Sequence, residues 1–265
     1  MPYIATEKAE LYYEVHGESG PTVTFAHGGG GNTLEWFQQV PAFLAAGYRV
    51  LLFDQRGWGR SKCAVDDMRF DYFPTDALAV MDAAGVARTA IVSHAIGGWT
   101  AMATAIAAPE RIACIVMSAS GGGILSEGIL RAFREGPGKV VGERRKIQQV
   151  ITAPDFPERA PDLFFLMSQI GKLNQDVGAF MKRSLDPANG VTAARLEGYR
   201  VPTLVIGGSE SRVIPPDVLR DASTYIPGAE FREIAGAGHA PPFEKAHAFN
   251  AMVLDYLGTH FPARA

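Results

Sequence analysis

The chain has 265 residues, of which 47% are hydrophobic, and a net charge of −3. It can bury a sizeable core, and it carries no basic tract, so we expect no nucleic-acid partner. Its two cysteines lack a C-x-x-C spacing, which argues against a disulfide framework or a zinc site. The sequence contains neither a membrane-length apolar run nor the apolar segment of a signal peptide, so we expect a cytoplasmic protein without a membrane partner.

The first 120 residues alternate between strand and helix patterns. Two segments with period-two alternation suggest an opening antiparallel pair, and more continuously apolar runs follow, which favour buried strands. Strands that alternate with helices of this length form parallel βαβ units in a sheet covered on both faces. The predicted strands cover residues 3–6, 10–16, 22–26, 49–53, 89–92 and 112–117, and the predicted helices cover 36–46, 71–84 and 97–107.

The strand pattern then stops over residues 121–199 and resumes afterwards. A helical insertion between two strands of an α/β sheet usually forms a lid over the carboxyl ends of the strands, where ligands bind. We therefore predict one domain, with a core of residues 1–120 and 200–265 and a helical lid of residues 121–199. The lid helices are predicted at 125–135, 138–152, 161–171 and 173–185, and the returning core has strands at 203–206 and 230–234 and helices at 216–226 and 242–257.

A turn of small residues follows the strand at 89–92. The small residues Ser93, Ala95 and Gly97 occupy every second position of this turn, and a helix-prone stretch follows it. This pattern is typical of a nucleophile elbow, in which the middle small residue lies on a strained strand-to-helix turn and projects into a cavity above the sheet. The middle residue here is Ala95, where a serine would be expected.

Four consecutive glycines, residues 28–31, follow the strand at 22–26. Glycines cannot pack a core, so this loop serves a special backbone conformation or the close approach of a ligand to main-chain N–H groups.

Five segments, each on the expected element and in the expected order, resemble the motifs of the α/β-hydrolase superfamily. They are the oxyanion loop His27–Gly30, the D-x-R-G-x-G-x-S turn Asp54–Ser61, the G-x-S-x-G-G elbow Ser93–Gly98, the strand before the acid Val201–Gly208, and the histidine loop Gly236–His239. The resemblance covers nearly the whole chain and implies the α/β-hydrolase fold, a mostly parallel eight-stranded sheet flanked by helices and covered by a helical lid. We expect no cofactor and no metal ion.

The resemblance also implies a catalytic triad, in which a serine attacks a carbonyl, a histidine takes its proton and an acid orients the imidazole. Ala95 has no oxygen and cannot attack. The acid position, counted back from Pro215, holds Ser211, and Glu210 is the nearest carboxylate. The family's other acid position, residues 118–120, offers no carboxylate.

Three elements of the family's site remain. His239 lies in a loop of small residues after a strand, where a general base must lie to reach a cleft. The main-chain N–H groups of Gly29 and Ile96 should form an oxyanion hole, which survives the loss of the serine because it is made of backbone.

Other side chains near these motifs are expected to contact the substrate or to support the loops of the site. We expect Trp36 and the lid residues Phe164 and Phe165 to make apolar contacts with a substrate. His27 and His94 are expected to support the glycine-rich loop and the elbow.

Three functions fit this pattern. The first is an enzyme that needs no nucleophile, with His239 as general base and the oxyanion hole acting on a small apolar or aromatic carbonyl compound in lyase, isomerase or hydrolase-like chemistry. The second is a serine hydrolase of an ester, lactone or carbon–carbon bond, engineered at Ala95, with Glu210 as the acid. The third is a non-catalytic pseudoenzyme that binds a ligand. Each implies a small-molecule ligand and a monomer or homodimer, and the lid has no motif that names the ligand.

Overall fold

A computed structural model of the chain describes residues 2–135, 144–175, 180 and 187–263. Within these residues nine strands form one sheet in the order β1-β2-β4-β3-β6-β7-β8-β9, with the short β5 paired to β2. The strands are β1 (Tyr3–Thr6), β2 (Ala9–His16), β3 (Thr22–Ala26), β4 (Arg49–Phe53), β5 (Lys62–Cys63), β6 (Thr89–His94), β7 (Ile112–Ser118), β8 (Thr203–Gly208) and β9 (Glu230–Ile234).

The sheet is mostly parallel, as predicted, but within the described residues it has nine strands and not eight, because the two-residue strand β5 adds to β2. Strand β2 pairs antiparallel with β1, β4 and β5, and every other pairing, from β4 through β9, is parallel. The central strands β3, β6, β7 and β8 are buried along their whole length, which explains their nearly continuous apolar sequences.

Helices cover both faces of the sheet. In chain order they are α1 (Gln39–Ala45), α2 (Phe73–Ala83), α3 (Gly97–Ala107), α4 (Glu127–Glu135), α5 (Arg144–Ile151), α6 (Phe156–Arg159), α7 (Pro161–Gly171), α8 (Pro216–Ser223), α9 (Pro241–Glu244) and α10 (Ala246–His260). Side chains of β6 alternate between the two faces: Ile91 packs in the core beneath α2, α3 and α8, while Ala90 and Val92 pack in the core beneath α1 and α10.

Helices α4 to α7 all lie between β7 and β8, at the position of the predicted lid. Part of the helix predicted at 138–152 and most of the one at 173–185 lie outside the described residues. No helix in the described ranges is long and apolar enough to cross a membrane.

Two predicted helices differ in the structure. The helix expected at 36–46 is a short 3-10 helix, Thr33–Trp36, followed by α1, because the Asn32 side chain accepts the N–H of Leu34 at 3.1 Å and starts a tight turn there. The helix expected at 242–257 is divided into α9 and α10 at Lys245, whose backbone leaves the helical region.

The structure corrects the prediction that Trp36 contacts a substrate. Its side chain is fully buried in the core beneath α1 and α10, with its ring 4.9 Å from that of Phe25. The position of a tryptophan beside a glycine-rich loop does not show whether its side chain lies in the core or in the site. Here the 3-10 helix Thr33–Trp36 places the side chain in the core.

The two aromatic residues of the predicted lid differ in their exposure to solvent. Phe164 is half-buried and packs edge-on against Phe156, with ring centroids 6.5 Å apart. Phe165 is 65% exposed, and its predicted contact with a substrate stays a prediction.

Replacement of Trp36 by alanine is expected to lower the free energy of unfolding by about 3–5 kcal/mol, because it leaves a large cavity in the core. Phe165→Ala, at an exposed position, is the matched control and should change it by no more than about 0.5 kcal/mol. Urea denaturation of both variants measures the difference. Equal effects would contradict the core placement of Trp36.

Candidate active site

The turn between β6 and α3 has the geometry of a nucleophile elbow. Ala95 adopts a left-handed backbone conformation with φ +46°, and its N–H donates to the carbonyl of Ser118 at 2.8 Å. A Cβ on Gly97 would overlap the backbone of Ala26 in the neighbouring strand. An alanine with positive φ costs about 1–3 kcal/mol and persists only where its surroundings impose it. The elbow is therefore formed, although its residue has no oxygen.

Two main-chain N–H groups beside the elbow are available to a ligand. Ile96 directly precedes α3, and Gly29 lies in the glycine-rich loop, which Trp58 holds by donating its indole N–H to the Gly29 carbonyl at 2.8 Å. In the described part of the chain neither the Gly29 nor the Ile96 amide has a hydrogen-bond partner. Both amides thus match the donors of an oxyanion hole.

His239 lies next to the elbow. Its carbonyl accepts a hydrogen bond from Nε2 of His94 at 2.8 Å, and the two imidazole centroids are 5.8 Å apart. Its own N–H donates to the carbonyl of Ile151 in the lid at 2.8 Å. The structure therefore brings together the histidine and the elbow that the sequence placed 144 positions apart (239 − 95).

The residue that faces the imidazole of His239 is Ser211. Its hydroxyl lies 3.5 Å from Nδ1 of His239, and it is buried. Glu210 is exposed, and its carboxylate lies on the side of Gly236 and Lys245. Of the two residues that the sequence offers at this position, Ser211 and not Glu210 faces the histidine, because the turn closed by the Ser211 N–H and the Gly208 carbonyl directs Ser211 toward it.

His239 is a neutral imidazole. Burial disfavours its charged form and the electrostatic interaction with nearby His94 opposes that form further, which together lower the pKa of His239 to about 3. The hydroxyl of Ser211 supplies no negative charge that would stabilise an imidazolium. This side chain can accept a proton only from a group whose conjugate base is stabilised elsewhere in the site.

Glu35 lies at the same site and was missed by the sequence analysis. Its carboxylate binds Nδ1 of His94 and also accepts the N–H of Gly28 at 3.0 Å. Both side chains are buried. The available signal was a single acidic residue, with no acidic neighbour, in the apolar segment after the glycine-rich loop, but its partner is 59 positions away.

Glu244 ties the histidine loop to the lid, and the sequence analysis also missed this residue. One carboxylate oxygen accepts the N–H groups of Gly238 and Ala240 at 3.0 and 3.1 Å, on either side of His239. The other accepts the N–H of Ala153, in the lid, at 2.7 Å. The position of His239 thus depends on the lid segment that follows α5.

An aromatic cluster beside Ile96 offers apolar contacts that the sequence analysis did not assign. Phe70 stacks on Trp99 with centroids 4.2 Å apart and lies 4.8 Å from Phe180. Phe180 packs edge-on against Trp58 at 5.1 Å. These rings come from four separate segments, so no local pattern identifies them. Among the described residues, His, Cys, Asp and Glu side chains form no group of three or more that could hold a metal ion.

Comparisons with known proteins identify the family and the fold. Residues 25–252 match the model of a family described as "Alpha/beta hydrolase family". The chain is 30% identical to a putative carbamate hydrolase RutD of Azorhizobium caulinodans, over 97% of this chain and 98% of that protein. It is 29% identical to a 2-hydroxy-6-oxononadienedioate/2-hydroxy-6-oxononatrienedioate hydrolase of Paraburkholderia phymatum, over 94% of this chain and 91% of that protein. The enol-lactonase from Burkholderia xenovorans has a similar crystal structure, with a TM-score of 0.81 and 26% identity over 97% of this chain and 99% of that one.

Proposed function

As this chain belongs to the α/β-hydrolase family and is an enzyme of that family, we propose that it acts on a small enolisable carbonyl compound without forming a covalent intermediate. The observation that carries the proposal is the complete elbow at Ala95, with the free amides of Gly29 and Ile96 beside a neutral His239. The names of the three similar proteins denote a carbamate, an oxo-dienedioate and an enol lactone, each of which is a carbonyl compound.

The proposed step is a proton transfer. His239 takes a proton from the carbon next to the carbonyl group, and the electrons of that C–H bond form a carbon–carbon double bond while the carbonyl π electrons move to oxygen. The N–H groups of Gly29 and Ile96 stabilise the enolate oxygen. His239 then returns the proton to carbon, at the same or a conjugated position. Stabilisation of the enolate by the amides is what permits so weak a base to act.

The aromatic cluster supports an apolar substrate body. Trp99 follows the elbow on α3, and Phe70 stacks on it. Ile96, which supplies one of the two amides, packs in the same cluster. We infer that the substrate lies with its carbonyl oxygen at the amides and its apolar part against these rings.

Exchange of carbon-bound hydrogen for deuterium tests the proposal. The protein is incubated in D2O with a panel of enol lactones and enolisable ketones, and proton NMR follows the signal next to the carbonyl. We expect His239→Gln to slow the exchange by about 100- to 10,000-fold. The exposed His247 supplies the matched control, since His247→Gln changes the same side chain away from the site.

The pH dependence gives a second readout. Because the pKa of His239 is lowered to about 3, its neutral form prevails throughout the neutral range, and the exchange rate should show no inflection near the ordinary histidine value of 6.5. An exchange rate that is the same in His239→Gln and in the unaltered protein would refute the assignment of the base. Absence of exchange across the whole panel would refute the proposed reaction.

A further inference from the structure

Two buried histidines flank the glycine-rich loop, and their partners determine how many protons each carries. Nε2 of His27 accepts the N–H of Gln55 at 2.9 Å and therefore carries no proton. Nδ1 must then hold the proton, which it donates to the Gly28 carbonyl at 2.8 Å. His27 is a neutral imidazole, and burial, its largest influence, lowers its pKa.

His94 has a different pair of partners. Nδ1 faces the carboxylate of Glu35, and Nε2 faces the carbonyl oxygen of His239 at 2.8 Å. The His239 carbonyl can only accept a hydrogen bond, and so can Glu35 when it is ionised. With an ionised Glu35, each ring nitrogen of His94 carries a proton and the ring is an imidazolium.

The charged groups around His94 agree with this assignment. Burial opposes the charge on His94, but attraction and hydrogen bonding by Glu35 outweigh it and raise the pKa of His94. Glu244 adds a smaller attraction, while the neighbouring His27 and His239 rings are neutral. Burial likewise disfavours the carboxylate of Glu35, and the attraction of His94 outweighs it and lowers the pKa of Glu35.

The pair lies where three functional segments meet. Glu35 binds the Gly28 N–H in the glycine-rich loop, and a Cβ on Gly28 would lie only 2.6 Å from Nδ1 of His94. His94 directly precedes the elbow residue Ala95, and its Nε2 holds the carbonyl of His239. One ion pair thus contacts the glycine-rich loop, the elbow and the histidine loop.

We propose that Glu35 and His94 are positioning residues that form an ion pair, which fixes the histidine loop against the glycine-rich loop and keeps a cation beside His239. The imidazolium keeps His239 unprotonated before the reaction and stabilises negative charge that develops on a ligand at the neighbouring amides. The pair thereby holds the backbone of His239, whose imidazole faces the neutral hydroxyl of Ser211. Only this catalytic consequence rests on the proposed function; the charge state of the pair does not.

Nitrogen-15 NMR of the imidazole side chains tests the charge state without any substrate. At neutral pH His94 should show two protonated ring nitrogens, and His27, in the same spectrum, should show one protonated and one unprotonated nitrogen. An unprotonated nitrogen on His94 would overturn the proposal.

The substitution Glu35→Gln removes the charges of the pair and keeps its hydrogen bonds. The glutamine amide can donate to Nδ1 of a neutral His94, whose Nε2–H still reaches the His239 carbonyl, so the hydrogen bonds persist while the cation is lost. We expect the pKa of His239 to rise in an NMR titration, because the neighbouring positive charge is lost. Glu18→Gln, at an exposed position, is the control.

A purely structural role for the pair would leave the titration of His239 unchanged in Glu35→Gln, and that result would overturn the proposal. The NMR readouts also distinguish its failure from failure of the proposed function. A doubly protonated His94 in a protein that exchanges no hydrogen refutes only the proposed reaction. A singly protonated His94 in an active protein refutes only the ion pair.

Discussion

The double variant Ala95→Ser/Ser211→Asp is expected to hydrolyse p-nitrophenyl acetate, and Ala95→Ser alone is expected to be slower by about 1,000- to 10,000-fold. The serine hydroxyl would lie on an elbow that already has the required positive φ, beside two available amides. His239 would remain a poor base in the single variant, because burial and the His94 cation oppose its protonation and Ser211 offers no charge. An aspartate at 211 stabilises the imidazolium and raises the pKa of His239.

The comparison is made by measuring p-nitrophenol release, including a burst phase that reports an acyl-enzyme. His239→Gln in the double variant should abolish the activity. Glu210→Gln, added to Ala95→Ser, should have no effect, because Glu210 is exposed and directed away from the histidine. If Ala95→Ser were as fast as the double variant, the role assigned to the residue at 211 would be wrong.

His94→Gln is expected to lower the free energy of unfolding by about 3–5 kcal/mol at a pH near 6, because it leaves a buried carboxylate without its counter-charge. Glutamine retains a donor for the His239 carbonyl, but among its described partners Glu35 would keep only the Gly28 N–H. A second substitution, Glu35→Gln, removes that charge and should recover most of the loss. Urea denaturation of the single and double variants measures both steps.

The effect of the pair on stability depends on pH in a defined direction. The raised pKa of His94 stabilises the folded protein below pH 6.5, and this contribution disappears as the pH rises through the folded value. The lowered pKa of Glu35 stabilises it above pH 4.5, and this contribution disappears as the pH falls through the folded value. The difference in the free energy of unfolding between the unaltered protein and the Glu35→Gln/His94→Gln variant should therefore be greatest between pH 4.5 and 6.5. A difference that is smallest in this pH range would show that the two groups are uncharged in the fold, and a difference that does not change with pH would show that neither pKa is shifted; either result would contradict the ion pair.

The sheet and the elbow were predictable because their signals are local. Strands β3 and β4 begin and end where the sequence predicted, since a buried parallel strand is a short apolar run bounded by turn residues. The elbow follows from small residues at fixed spacing around Ala95, and close approach of the Ala26 backbone explains why a glycine is needed at 97.

The chemistry of the site was less predictable because it depends on pairings across the fold. Glu35 and His94 come from separate segments, and no spacing rule relates them. The choice between Glu210 and Ser211 depends on a one-residue difference in a turn, which sequence spacing cannot resolve. Trp36 was expected to contact a substrate but is buried in the core, and its short helix is of the 3-10 type, which gives no amphipathic period that would have indicated this.

The open side of the glycine-rich loop provides a way to find ligands by fluorescence. Gly30 is exposed, a Cβ there would meet no atom within 4 Å, and its carbonyl lies beside Gly171 at the end of helix α7. Both native thiols are poorly reactive, since burial raises the pKa of Cys63 to about 11 and that of Cys114 to about 12. A cysteine introduced at Gly30 would therefore take a maleimide dye selectively, one residue from the Gly29 amide. The emission of that dye would report occupancy of the site for compounds that the protein binds, whether or not it converts them.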